Sequence, residues 1–311
     1  LAHSMNIPTV IGIGDEFLAN IRPGEQALVD GFSGEVILEP DAGILSKLTA
    51  PQEKSTDTSE GTHTADGTHV SIYSADDPCA PLPEYADGIA VFGCPLLSDE
   101  TKQYEYYRAI AERTPDCRAI IRMPVISPKD PDRQIKYDQQ IRAVFRAASH
   151  GEPGILFPMI TSVPEARKIL AACDDAKMEL RAEGVKCSEN VKIGFMVEIP
   201  AAAIISDCLA PMADFFIIDS DSIARHTLAC YEEDCFSPDF ADGQLEAVMR
   251  LIGNSARNAV KNGARIGICG SLAGDTSLTG DFLRMGIDNF CVTPDRLAEV
   301  RKRVTEVDLE V

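Results

Sequence analysis

VKIGFMVEIP (residues 191–200) holds an apolar run of strand length, 191–197, that ends on a carboxylate, Glu198, and then a proline. Strands buried on both faces read as continuous apolar runs, the signature of a parallel sheet covered by helices. Runs of the same kind recur at 70–73, 88–92, 119–125, 154–159, 214–218, 265–269 and 289–292. Between most of them lie amphipathic stretches with helical spacing, such as 100–113, 164–183, 244–262 and 295–304. Eight strand–helix units in this length predict an α/β chain closing into a (β/α)8 TIM barrel over residues 69–311. The first crossover, 74–87, is short and carries three prolines, so no full helix is expected there.

The segments upstream differ in character. Residues 49–68 (TAPQEKSTDTSEGTHTADGT) are polar, without apolar periodicity, and read as an exposed linker. His63 falls within it and His69 just beyond, and neither is read as a metal ligand. Residues 1–48 are β-rich, with two short β-prone runs about Asp30-Gly31-Phe32-Ser33-Gly34 that predict a hairpin. That zone is too short for a convincing core of its own. The chain opens on Leu1 rather than Met, as expected of a segment of a longer product.

Bulk properties exclude some classes of function. A formal charge of −20 argues against binding nucleic acid, and it opposes small anions unless a local cation overrides it. The plain reading of such acidity is solubility or salt tolerance. No apolar run approaches the roughly 20 residues of a membrane span, and no secretory signal is visible. The ten cysteines are widely spread with no C-x-x-C pair, which fits reduced thiols and a cytoplasmic setting rather than a disulfide framework.

In a (β/α)8 barrel, chemistry sits at the C-terminal ends of the strands. Those ends bring together Phe92-Gly93-Cys94, Arg122, Pro158-Met159, Glu198, Asp219-Ser220-Asp221-Ser222 and Cys269-Gly270-Ser271. Glu198 is costly to bury unless ion-paired or bound to metal, and its oxygens suit Mg²⁺ or Mn²⁺. Asp219 is a second metal-ligand candidate, while Asp221 or Ser222 is expected to cap a helix starting near Ile223. Arg122 suits a phosphate or carboxylate, or alternatively pairs with Glu198. Cys269 is either a general acid or a small packing residue, and His226 has no evident partner.

Several segments resemble Enzyme I of the bacterial phosphotransferase system, a family related to pyruvate phosphate dikinase and phosphoenolpyruvate synthase. They are RAVFRAASHGEPGILFPMITSVPEARKIL, KIGFMVEIPAAAIIS, ADFFIIDSDSIARHTLA and IGICGSLAGDTSLTGDFLRMGID. AHSMNIPTVIGIG and VDGFSGEVILEPDAGIL extend the resemblance over most of the chain. The resemblance implies that 1–48 is the end of a swivelling phosphohistidine domain, whose T-S-H motif would precede Leu1. His3 falls where the family has arginine, so it is not the phospho-acceptor. It also implies a metabolite, phosphoenolpyruvate, with Mg²⁺ (or Mn²⁺), a histidine-containing phosphocarrier partner, a role in sugar transport and a homodimer. By the same resemblance Glu198 binds metal, Arg122 contacts phosphoenolpyruvate and Cys269 protonates the enolpyruvate carbon.

The departures are specific. The R-T-E-F-L arginine falls at Phe92, and G-T-N-D-L-T-Q-Y becomes residues 219–226. The substrate-binding asparagine is thus Asp221 and the second metal aspartate is Ser222. An arginine soon after becomes Glu232, and SPKDPDRQIKYDQQ is shorter than its family counterpart. Each lost charge-assisted hydrogen bond is worth about 1.5–3 kcal/mol, so two or three weaken binding by about three orders of magnitude. Three readings follow: an Enzyme I-like phosphotransferase, a catalytically impaired metabolite-binding or regulatory relative, and a metal-dependent 2-oxo-acid lyase.

Overall fold

The structure is a computed structural model that describes residues 61–75, 82, 83, 85–114, 118–151, 153–188, 190–230 and 245–309. It also describes 26–30, 35–40 and isolated positions at 10, 14, 17, 21 and 22. His3, Cys79, Cys117, Glu232, Cys235, the hairpin turn 31–34 and most of the expected linker lie outside the described residues. Two compact units divide the chain, Leu1–Asp57 and Thr58–Val311.

In the first unit, β1 (Ala27–Asp30) and β2 (Glu35–Leu38) pair antiparallel, Leu28 opposite Ile37 and Val29 opposite Val36. A short strand, β3 (Thr62–His63), opens the described part of the second unit and pairs antiparallel with β4 (His69–Ser74). This revises the linker expectation for its last residues. Thr62 and Thr64 are buried, and Ala65 N–H donates to the Val307 carbonyl at 2.8 Å.

The remaining strands are β5 (Gly88–Val91), β6 (Arg118–Arg122), β7 (Pro153–Phe157), β8 (Ile193–Val197), β9 (Phe215–Asp219), β10 (Arg265–Cys269) and β11 (Asn289–Val292). Each pairs parallel with its sequence neighbour, and β11 pairs parallel with β4, so β4–β11 form a closed eight-stranded barrel. Helices α1 (Glu100–Arg113), α2 (Arg133–Ala147), α3 (Val163–Ala182), α4 (Pro200–Ile204), α5 (Ser206–Leu209), α6 (Ser220–Leu228), α7 (Leu245–Lys261), α8 (Thr279–Arg284) and α9 (Leu297–Glu306) follow the strands. After β4, the described residues of the crossover hold no helix, as its prolines predict.

Strand alternation makes two apolar layers. One face of each strand packs on the helices, as Ile121, Phe157, Phe195, Phe216, Ile268 and Phe290 do. The other face fills the barrel with one residue per strand: Tyr73, Ala90, Ile120, Leu156, Met196, Ile217, Cys269 and Cys291. Near the N-terminal end of the barrel, the Phe215 ring occupies the space that a Cβ at Gly194 would need. The interior is therefore packed below, where buried Ser71 and Asn289 bond to Arg265 and Cys291, and the charged candidates gather at the C-terminal mouth.

Candidate functional site at the barrel mouth

β6 and β8 carry Arg122 and Glu198 into the mouth because both lie in the inward phase of their strands. Glu198 is 3% exposed, and its charge is met from two sides. Arg122 Nη2 donates to Oε2 at 3.1 Å, and the Met159 amide N–H donates to Oε1 at 2.5 Å. Met159 has φ +55°, a left-handed conformation rare for a side chain of this kind. Arg122 Nε also contacts Met196 Sδ at 3.0 Å. The guanidinium thus uses part of its donor fork on Glu198, and a fork of five N–H groups leaves others to meet an anion.

On the next strand, Asp219 lies level with Glu198, since Val197 pairs with Ile218 just below. Asp219 is also the N-cap of α6: its Oδ1 accepts from the Asp221 and Ser222 N–H groups, each at 3.1 Å, and its Oδ2 accepts from Ser222 Oγ at 2.7 Å. This corrects two expectations. The helix begins at Ser220, not near Ile223, and Asp219, not Asp221 or Ser222, caps it. The short strand end leaves the chain extended at Asp219, the conformation that a capping residue needs.

His226, expected to be without a partner, points its Nδ1 at the Ser222 carbonyl at 2.7 Å and the Glu198 carbonyl at 3.1 Å. Both partners are acceptors, so Nδ1 carries the proton and ties α6 to the end of β8. The i to i+4 spacing from Ser222 was visible in the sequence; the Glu198 contact was not.

On the adjacent strand, in register with Asp219, Cys269 is 4% exposed and inward-facing. Burial first, then the nearby carboxylate of Asp219, push its thiol well above the usual range. A thiol so placed keeps its proton near neutrality and can act as an acid, not as a resident thiolate. Asp221 accepts from the Ser271 N–H at 2.8 Å through Oδ1, and burial raises its carboxyl above the ordinary 3.8. Phe92 packs against the apolar interior where the family pattern has an arginine. Cys94, just past the end of β5, packs against the helix-side core, and burial lifts its thiol to about 12.

The mouth therefore gathers Arg122, Glu198, Asp219, Asp221 and Cys269. Among the described residues, no three His, Cys, Asp or Glu side chains stand together as a ready metal cage. A hard cation that also draws on substrate and water oxygens needs only one or two carboxylates, and Glu198 and Asp219 fit that demand. Each keeps lone pairs beyond those its hydrogen bonds use.

Residues 128–309 match the family described as PEP-utilising enzyme, PEP-binding domain. The chain belongs to this family. Among its curated relatives, the phosphoenolpyruvate-protein phosphotransferase of Priestia megaterium is 28% identical over 99% of this chain and 61% of its own length. That of Haloferax volcanii is 27% identical over 99% of this chain and 60% of its own length. The chain thus spans about three fifths of the length of the relatives it matches. The Priestia alignment runs over 349 positions, more than the 311 residues here, so it contains gaps in this chain.

Solved structures show the fold. A lead(II) complex of Haloferax volcanii malate synthase superposes with TM-score 0.53 at 14% identity, covering 75% of this chain and 72% of its own. RipC from Yersinia pestis gives TM-score 0.51 at 12% identity, covering 82% of this chain and 99% of its own. No helix among the described residues is long and apolar enough to cross a membrane. The seven described cysteines are all free thiols.

Proposed function

We propose that this PEP-binding barrel belongs to an Enzyme I-like phosphoenolpyruvate-protein phosphotransferase, working in the cytoplasm and binding phosphoenolpyruvate at its C-terminal mouth. The observation that carries this reading is the facing arrangement of Arg122, Glu198, Asp219 and Cys269 within a barrel of this family. Glu198 and Asp219 are the residues that would hold Mg²⁺ (or Mn²⁺), which would offset negative charge on the phosphate and the enolate. Arg122 turns its remaining donors to the anion, and its pairing with Glu198 keeps the guanidinium aimed. The phosphoryl group passes to a histidine outside this chain and from there to a histidine-containing phosphocarrier. Cys269 then gives its proton to the methylene carbon of the enolpyruvate, whose C–H bond forms as the S–H bond breaks. A homodimer is part of the proposal.

A second reading has its own support. With Phe92 and Ser222 in place of an arginine and an aspartate, the described site residues set the Arg122 guanidinium against the carboxylates of Glu198, Asp219 and Asp221, which favours a metabolite-binding relative without turnover. Calorimetric titration of the chain with phosphoenolpyruvate, with and without Mg²⁺ and with Glu198→Ala as control, tests the metal-dependent binding that the first reading requires. Metal-dependent binding that the control loses supports the phosphotransferase. No binding at millimolar ligand overturns it for this chain and leaves the barrel to another ligand.

A further inference from the structure

We propose that Asp221 is a positioning residue, one that clasps the turn following Cys269 to the turn following Asp219 on the adjacent strand at the barrel mouth. The proposal assigns Asp221 a task other than contact with substrate. It rests on the proposed function only for what the thiol does.

Three observations meet at this place. Asp221 Oδ1 accepts from the Ser271 N–H at 2.8 Å, joining residues 50 apart in sequence. Beside it, the Leu272 N–H donates to Ser220 Oγ at 3.3 Å, and Ser220 is fully buried. Between the two contacts Gly270 has φ +88°, and a Cβ there would stand 2.5 Å from Ser220 Oγ and 3.0 Å from the Asp221 carboxylate. The two turns thus abut without room for a methyl group, and glycine alone meets both the space and the backbone conformation.

Below the turns, β9 and β10 are paired with Cys269 opposite Asp219. Beyond those residues the backbones leave the ladder, β9 into α6 and β10 into a short 3-10 turn, Ser271–Gly274. Two amide groups of that turn lose their strand partners there and find Asp221 and Ser220 instead. The clasp continues the sheet by side chains where the main chain can no longer do so. It keeps Cys269 facing the interior, and it places the Asp221 charge near a thiol that must hold its proton.

The test is peptide-resolved alkylation of Cys269 by iodoacetamide in the 311-residue chain. Parent, Asp221→Ala, Asp221→Asn and Ser220→Ala are compared, with the buried Cys173 as reference for global opening. Asp221→Ala is expected to speed Cys269 by about tenfold relative to Cys173, because the turn opens locally. Asp221→Asn removes the same charge but keeps an Oδ1 acceptor, and should stay within about twofold of the parent. Unchanged Cys269 reactivity in Asp221→Ala, or an Asn variant as fast as the Ala variant, overturns the clasp. If Asp221→Ala exposes Cys173 equally, Ser220→Ala decides. A rise of about threefold at Cys269 alone sustains the proposal, and no rise overturns it. Alkylation needs no phosphoenolpyruvate, so failure of the titration above and failure of the clasp are read separately.

Discussion

Asp219 caps α6, and the proposed function asks the same carboxylate to hold a metal; capping needs an oxygen and metal binding needs a charge. Asparagine separates them. Asp219→Ala should lower stability by about 0.5–2 kcal/mol through loss of the α6 cap. Asp219→Asn should keep most of that stability in urea unfolding yet lose metal-dependent phosphoenolpyruvate binding. An Asn variant that still binds with metal would remove Asp219 from the ligand set. Asp221 gives a pH signature instead. Its folded pKa is raised, so the folded state holds the proton more tightly than the unfolded one. Its stabilising contribution is fully present below the ordinary 3.8 and fades as pH rises through the raised value. Asp221→Asn should therefore match or exceed the parent in Tm at pH 7. The difference should shrink as the buffer is taken down toward pH 4. A gap that widens in acid would contradict the burial of this carboxylate.

At the scale of elements, the lower barrel depends on a fit between glycine and phenylalanine. Gly194 on β8 gives its side-chain space to the Phe215 ring of β9, and a Cβ at Gly154 on β7 would stand 3.2 Å from the same ring. Gly194→Ala forces the ring aside at a cost of about 1–3 kcal/mol, measured by urea unfolding. Adding Phe215→Leu should recover part of the loss, because the two changes share one contact. Additive losses would show that the ring is not what the methyl meets. In sequence this glycine was one residue in an apolar run, and nothing marked it as the seat for an aromatic ring. The strands themselves were legible: 265–269 and 289–292 match β10 and β11 end to end, since apolar runs bounded by turns mark buried strands. The start of α6 was not legible, because Asp219, Asp221 and Ser222 are all good caps by type.

For the whole molecule, the −20 charge acts on stability through self-repulsion. Raising KCl from low ionic strength to about 0.3 M screens exposed charges beyond about 6–10 Å and should raise Tm by several degrees. The short-range Arg122–Glu198 pair, largely shielded from solvent, should contribute little to that change. A Tm that falls with salt would point instead to surface ion pairs, such as those between Arg142 and Glu100, Glu179 and Glu183, as the larger effect.

By itself the sequence determined the strand–helix alternation, the barrel it closes into and the strand ends where charged residues would gather. Those features follow from apolar period and residue type, which are local. The tertiary structure alone decided that Met159 turns its N–H to Glu198, that His226 reaches the end of β8 and that Asp221 takes the Ser271 N–H. These bonds join residues 28 to 50 positions apart. Their partners are brought together only when the barrel closes, and no spacing along the chain records that.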